Sequence, residues 1–387
     1  VGNYHYSRWV EVDLEAIKHN YRQIRRFVDE KVKILSVVKA DAYGHGAVET
    51  GRVLEELGAD MLGVTTVEEG RKLREGRISV PILVFGPFLP EDIETIAGTD
   101  LTVTVAGFET LKILSKECDK YNRKIKVHLK VETGMGRTGL WPQETAGAAR
   151  EVAAACGLVL EGVYSHLATA MWDNKSYAHK QYALFKQALT LLEREDPDKH
   201  LTRHISNSAA VLDLPEMNLD MVRVGTLLYG QYPNPRQEGT LDLKNPWSMK
   251  ARVVYIRDLP PGHTVGYGRT YKTSRRTRIA LLPVGFADGL QVEPALKPAN
   301  IWELIKGMAK LILQYLGITR SVQAITFARG KGKIIGKVGM QLSMVDITGI
   351  PEVEIGTIAG IPARRTAVSS TVPRLYLKDE VQDSYSY

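Results

Sequence analysis

Residues 34–57 read ILSVVKADAYGHGAVETGRVLEEL. The run ILSVV has the length and β-branched content of a buried strand. HGAVETGRVLEEL, just after it, spaces its apolar residues as a helix does. A strand leading into a helix is half of a β/α unit, and the pattern recurs along the chain. MLGVT (61–65), PILVFG (81–86), LTVTV (101–105), IKVHLKV (125–131), LVLEGVYSHL (158–167), RHIS (203–206) and MVRVG (221–225) read as further strands. Helical segments such as the alanine-rich ETAGAAREVAAAC (144–156) lie between most of them. Eight strands alternating with helices over about 230 residues predict an α/β fold, a parallel (β/α)₈ TIM barrel. The last two connections are short.

After Asn245 the pattern changes. MKARVVYIRDL, HTVGYGRTYKT, RIALLPVGF, KIIGKVGMQLSMVDITG and EVEIGTIAGI are strand-like, with Gly and Pro between them. The expectation is a barrel over residues 1–244 and a mostly-β C-terminal domain over 245–387. The first strand-like run, RWVEVDL, is assigned to the barrel, with pairing of residues 1–12 to the β domain as the alternative. A helical insertion spans about 291–330. Within it, the stretch 299–317 carries Glu303, Lys306, Lys310 and Gln314 as a narrow polar stripe. Packing on its own domain is expected, with contact to another subunit or a membrane surface as the alternative.

A chain of 387 residues suits two domains. The excess of 51 Lys+Arg over 44 Asp+Glu is spread out, so it implies mild attraction to anions and no nucleic-acid groove. Two cysteines, Cys118 and Cys156, form no disulfide framework or metal motif, and no metal is expected. No signal-like start and no membrane-span-length apolar run is found, so the expected location is the cytoplasm.

The chemistry begins with Lys39, at the end of the first barrel strand. In such barrels the C-terminal strand ends face the active site. A desolvated lysine loses its proton readily and attacks carbonyls; alone, however, Lys39 reads first as a surface lysine just past its strand. Other strand ends add to it. Lys130 ends the fifth strand and Arg137 follows in a glycine-rich loop. His166 ends the sixth, the seventh ends in HISNSAA with His204, Asn207 and Ser208, and Arg223, Gly225 and Thr226 mark the eighth. The loops after the last two strands are the usual phosphate site of these barrels. A phosphorylated cofactor would lie there with its ring toward Lys39.

These segments resemble the alanine racemases. VVKADAYGHG, KVETGMGRTG, SHLATA, HISNSAA, VRVGTLLYG, VGYGRTY, GFADG, VGMQLSMVD and VPRLY recur in that order over nearly the whole chain. The resemblance implies a racemase that interconverts L- and D-alanine with pyridoxal 5′-phosphate, supplying D-alanine for peptidoglycan. It implies that Lys39 carries the cofactor as a Schiff base. Tyr43, Ser208, Gly225, Thr226 and Tyr376 would contact its phosphate, beside Asn207. His166 would pack near the ring, and Arg223 would face its nitrogen. Arg137 would touch the cofactor and the substrate carboxylate, steadied by Lys130, which is carbamylated in many members. Met340 would offer its backbone to that carboxylate. Tyr267 would be the second base, supplied by the other subunit of a homodimer whose active site is shared. No nucleic acid and no membrane span enters this picture.

Two bases on opposite faces suit racemisation. Roughly one free tyrosine in a thousand is ionised at pH 7, so Tyr267 needs neighbours that stabilise its anion. On residues alone, Tyr267 reads first as a sheet tyrosine with a satisfied hydroxyl. Arg223 would leave the ring nitrogen unprotonated, since arginine keeps its charge to above pH 12. Two departures stand out: Gln341 replaces the usual acidic residue after Met340, with Gly339 in place of a cysteine, and the insertion lengthens the path from GFADG to VGMQ. The rival within the fold is a racemase of broader substrate range. A decarboxylase would want an acidic partner for the ring and a β-domain cysteine, and a lone cofactor carrier would want no β domain.

Overall fold

The computed structural model describes residues 6–121, 123–292, 301–315 and 324–377. The chain divides into two compact units, Leu14–Pro246 and Val1–Asp13 with Trp247–Tyr387. The first strand, β1 (Arg8–Asp13), thus belongs with the β-rich unit and not with the barrel. It pairs antiparallel with the strand beginning at Trp247 and parallel with that beginning at Arg374.

Leu14–Pro246 holds eight parallel strands: β2 (Lys33–Val37), β3 (Met61–Val64), β4 (Ile82–Val84), β5 (Thr102–Val105), β6 (Ile125–Lys130), β7 (Leu158–Tyr164), β8 (Thr202–His204) and β9 (Met221–Val224). Their order is β8-β7-β6-β5-β4-β3-β2-β9. The two end strands meet through the N–H of Asp220 on the Arg203 carbonyl at 3.1 Å and that of Arg223 on the Ser206 carbonyl at 3.0 Å. A bridge between Asn207 and Arg223 completes this seam. Nearly every strand residue is buried, as expected where helices cover one face and side chains fill the other. Leu35, Val37, Met61, Leu83 and Met221 cluster in the interior, with Tyr43 and Phe85 packed on them.

The other unit continues with β10 (Trp247–Arg252), β11 (Tyr255–Leu259), β12 (Thr264–Val265), β13 (Tyr271–Lys272), β14 (Thr277–Leu282), β15 (Ala324–Phe327), β16 (Gly330–Ile335), β17 (Ser343–Asp346), β18 (Ile358–Ile361) and β19 (Arg374–Leu377). Nine strands form one sheet in the order β11-β14-β17-β16-β15-β18-β10-β1-β19, and β12 pairs with β13 alone. HTVGYGRTYKT is therefore a hairpin, not a strand. Gly266 (φ 75°) and Gly268 (φ 70°) take left-handed conformations that turn the chain there.

A helix spans Ile301–Tyr315. Residues 299, 300, 316 and 317 of the stretch expected to be helical lie outside the described residues. The far end of the expected insertion is sheet: β15 begins at Ala324. The expected packing of the helix on its own domain is not what its apolar side chains show. Eight of them, Trp302 and Ile305 among them, are exposed.

Candidate active site

Lys39 follows β2 at the mouth of the barrel, and the chain there does something the sequence does not announce. Ala40, Asp41, Ala42 and Tyr43 all adopt left-handed backbone angles, φ 51–56°. Such geometry costs roughly 1–2 kcal/mol per residue for L-amino acids, so the surroundings must enforce it. The Ala42 amide donates to the Val38 carbonyl at 2.8 Å and the Gly46 amide to the Asp41 carbonyl at 3.0 Å. Asp41 Oδ1 accepts from the Ala47 amide at 2.9 Å. From outside the turn, Glu69 Oε1 accepts from the Ala40 amide at 2.6 Å. The other Glu69 oxygen accepts from the Thr65 and Thr66 amides, closing a capping box with Thr66 at the start of the next helix. One carboxylate thus ties the helix after β3 to the backbone beside Lys39. Tyr43 and His45 lean on the ring of Tyr229, whose hydroxyl donates to the Val37 carbonyl at 2.9 Å.

The Lys39 amine lies below its ordinary pKa. Burial is the main cause, and the Arg137 charge adds to it while Glu69 opposes both. Lys130, at the end of β6, is lowered to about 8 by burial and by the charges of Arg137 and Arg223. Its Nζ donates to Thr138 Oγ1 at 2.7 Å. Arg137 is exposed in the loop after β6. That loop is folded by Glu132, whose carboxylate accepts from the amides of Gly134, Met135, Gly136 and Arg137. Burial pushes Glu132 up, and the four donors outweigh it to hold the group below the usual range.

Arg223, in β9, is a buried cation that among the described residues meets no carboxylate. Its Nη2 donates to the carbonyls of Ser165 (2.6 Å) and Ile205 (3.1 Å) and faces His166 Nδ1 at 3.3 Å. Its Nη1 donates to His204 Nδ1 at 2.8 Å. Burial brings its pKa down to about 10, below the ordinary arginine range expected from the sequence, yet it stays charged at neutral pH. Because a guanidinium can only donate, it fixes the tautomers beyond it. His204 must carry its proton on Nε2, which meets His128 Nδ1 at 2.9 Å. His128 must then carry its own on Nε2, which faces Glu161 Oε2 at 3.5 Å without a formed hydrogen bond. Gly162 leaves room for this row, since a Cβ there would come within 2.6 Å of His128 Cε1. All three imidazoles are held below their ordinary pKa, mainly by burial; Arg223 adds to it in each case, while Glu161 opposes it at His128, and His166 falls to about 3.

At the β8–β9 seam, Asn207 caps the short helix Ser208–Asp213 by accepting from the Ala209 and Ala210 amides. Ser208 Oγ accepts from the Gly225 amide at 2.9 Å. The Thr226 hydroxyl is buried and has no hydrogen-bond partner among the described residues. A Cβ on Gly225 would lie 2.6 Å from the Tyr43 hydroxyl, so this position needs glycine. An unanswered hydroxyl in a cradle too tight for a methyl, opposite a lysine of lowered pKa, suits a phosphorylated aldehyde.

Ten of the eleven barrel residues singled out in the sequence (Lys39, Tyr43, Lys130, Arg137, His166, Asn207, Ser208, Arg223, Gly225 and Thr226) line one cavity of about 550 Å³, and His204 is not among its lining but sits against Arg223. Another cavity, about 780 Å³, opens around Lys33, Thr202, Arg203 and Asp220. It sits where the strands begin, the end that barrels use for stability and not for chemistry.

Tyr267, Met340 and Tyr376 lie in the other unit. Tyr267 sits on a short 3₁₀ turn at the tip of the β12–β13 hairpin, 78% exposed, and is no sheet tyrosine. It lines a cavity of about 820 Å³ together with Met340, Gln341 and Arg8. Met340 is exposed, and its carbonyl accepts from the Ala287 amide at 3.0 Å. Gly339 accepts from the Phe286 amide at 3.1 Å. Gly285 could not carry a side chain here, since a Cβ would meet the Gly339 carbonyl at 2.1 Å. Tyr376 belongs to β19, opposite Val12 of β1. Sequence reasoning passed over Glu69, Glu132, His128 and Glu161. The Thr-x-x-Glu spacing of Thr66 and Glu69 was a readable capping signal; the others carried none.

Among the described residues no group of three or more His, Cys, Asp or Glu could hold a metal ion, and no helix is long and apolar enough to cross a membrane. The family model "Alanine racemase, N-terminal domain" matches residues 12–233, and "Alanine racemase, C-terminal domain" matches 247–312. The chain is 39% identical to an alanine racemase of Halothermothrix orenii, over 90% of this chain and 85% of that protein. It is 37% identical to alanine racemase 1 of Caldanaerobacter subterraneus, over 96% and 95%. Among solved structures, an alanine racemase of Clostridium difficile superposes with a TM-score of 0.85 at 28% identity, covering 96% of each chain. One from Bacillus anthracis gives 0.83 at 29%, covering 98% of this chain and 97% of that one.

Proposed function

This chain belongs to the alanine racemase family, enzymes that interconvert L- and D-alanine with pyridoxal 5′-phosphate, and from that premise we propose how its own residues divide the work. Bound in the barrel, the cofactor makes the α-proton of an attached amino acid acid enough to remove. Lys39 would hold its aldehyde carbon at rest and, once its amine is freed by the incoming substrate amine, would serve as base on one face. The lowered pKa of this amine supports the role, because a neutral amine is the form that attacks and accepts a proton. Ser208, Gly225, Thr226 and Tyr43 would receive the phosphate, beside Asn207, with Tyr376 assigned to it by the family resemblance; the Thr226 hydroxyl, unpartnered among the described residues, is the observation that carries this part. Arg223 would be the donor toward the ring nitrogen, one that cannot surrender its proton at neutral pH and so would leave that nitrogen without a proton of its own. Neutral His166 packs beside it.

Arg137 binds the substrate carboxylate. Lys130 steadies it, and with a pKa of about 8 roughly a tenth of Lys130 is neutral at pH 7, the form that can be carbamylated. Tyr267 is the base on the other face and Met340 presents its backbone to the carboxylate, both contributed by the second subunit of a homodimer. Their exposure on one shared cavity supports a contribution made outside their own unit. The product serves peptidoglycan synthesis in the cytoplasm.

The test is D/L-alanine interconversion by wild type, Lys39→Ala and Tyr267→Phe, with loss of α-deuterium followed from each enantiomer. Two bases predict that Tyr267→Phe keeps exchange from one enantiomer and loses interconversion. Equal activity in all three proteins would refute the assignment. Serine, lysine and arginine as substrates separate a strict alanine enzyme from a broader racemase.

A further inference from the structure

The helix Ile301–Tyr315, which the racemase chemistry leaves unused, shows an unusual surface. Along it, Ile301, Trp302, Leu304, Ile305, Met308, Leu311, Ile312 and Leu313 are 38–70% exposed. Monomeric proteins seldom leave so many large apolar side chains together in water. At about 100° per residue, Ile301, Ile305, Met308 and Ile312 fall at the centre of an apolar arc about 200° wide. These central residues are the ones a helix packed on its own domain would bury, yet here they face outward. Glu303, Lys306, Lys310 and Gln314 occupy the opposite arc by sequence register.

We propose that this helix lies flat on the surface of a bilayer rich in anionic phospholipid, its apolar arc sunk between the headgroups. At 15 residues it is about 22 Å long, too short for the roughly 30 Å hydrocarbon core. It can therefore lie on a membrane but not span it. Charge favours an anionic partner: the helix itself carries two lysines against one glutamate, in a chain of net charge +7. Trp302, at the border between the apolar arc and Lys306, has the placement that suits an indole ring at headgroup level. A second copy of the chain fits less well, because helix pairing uses a narrow seam and would leave much of so wide an arc wet. The proposal rests on no part of the racemase assignment.

The experiment is flotation of the full chain with vesicles of phosphatidylcholine alone or of equal parts phosphatidylcholine and phosphatidylglycerol. Racemase activity serves as the folding control, and light scattering without lipid gives the assembly mass. Wild type floats with the mixed vesicles, less with the neutral ones, and less again as salt is raised. The double variant Ile305→Glu/Ile312→Glu lowers partition by about 100-fold with activity and assembly mass unchanged. Should that variant fail to fold, Lys306→Glu/Lys310→Glu on the polar arc carries the test, by losing the preference for anionic vesicles. Wild type that stays with neither vesicle overturns the idea, as does a folded isoleucine variant that floats like wild type. A lower assembly mass in that variant, with flotation unaltered, assigns the face to a second copy and likewise overturns it.

Discussion

The Lys39 cavity and the Tyr267 surface carry the two halves of one proposed reaction, yet they are built in opposite ways. Around Lys39 the charged groups are largely withdrawn from water, and each rests on fixed neighbours. Arg223 sits on two carbonyls and a row of imidazoles, Glu132 gathers four amides, and Glu69 clamps the left-handed turn. Tyr267 stands in solvent on a hairpin tip between two positive-φ glycines. Groups whose proton affinity must be shifted need a dry, ordered shell. A group to be completed by another surface has to be left exposed on its own. Stability and chemistry should therefore be coupled in the barrel and separable at the hairpin.

The largest break in that contrast comes from Arg223→Glu. A carboxylate would face the Ser165 and Ile205 carbonyls and the unprotonated Nδ1 of His204. The apoprotein should lose about 3–5 kcal/mol in denaturant titrations, as when a buried charge is left uncompensated. Racemisation should fall while transamination, read as pyruvate formed, rises relative to it. Unchanged rates of both would remove Arg223 from the chemistry. Tyr267→Phe should instead cost roughly 10²–10⁴ in turnover while apoprotein stability stays within about 0.5 kcal/mol of wild type. A substantial drop in stability would mean the hairpin tip is structural.

Acid should act on the barrel. His128, His166 and His204 have folded pKa values below the ordinary imidazole value, so below about pH 6.5 the unfolded chain binds protons that the fold refuses. Stability is full above that pH and falls as pH drops toward the His166 value of about 3, by up to ~1.4 kcal/mol per pH unit for each imidazole. Apoprotein melting against pH measures the slope, and His204→Gln should make it shallower. The smallest effect is that of Glu69→Ala. Loss of the cap should cost about 1–2 kcal/mol, and removal of a carboxylate that raises Lys39 should lower the lysine's pKa further. The pH dependence of cofactor capture by the apoprotein would show it; a profile that stays put would mean that the clamp serves the fold alone.

The barrel was legible because most of its strands are short apolar runs buried on both faces and most are followed by a helix of regular period. ILSVV and β2, or IKVHLKV and β6, differ by no more than a residue at either end. The strand-end polar residues were legible for the same reason, since knowing where a strand stops says which residue reaches the mouth. Other features left less trace. The first strand alternates in a way that would suit either unit, and its partners at Trp247–Arg252 and Arg374–Leu377 are far away in sequence. HTVGYGRTYKT has β-type residues throughout, and its two glycines decide for a turn over a strand.

What the sequence determined by itself is therefore the barrel, the ordered motifs and the residue types at the strand ends, because these depend on periodicity and position along the chain. The tertiary structure decided the rest. It bent Ala40–Tyr43 into a left-handed turn, drew Glu69 across to hold it, and lined up Arg223, His204, His128 and Glu161 with one allowed arrangement of protons. These are contacts between strands and helices distant in sequence, and their proton positions follow from which groups burial leaves face to face. No local pattern encodes that.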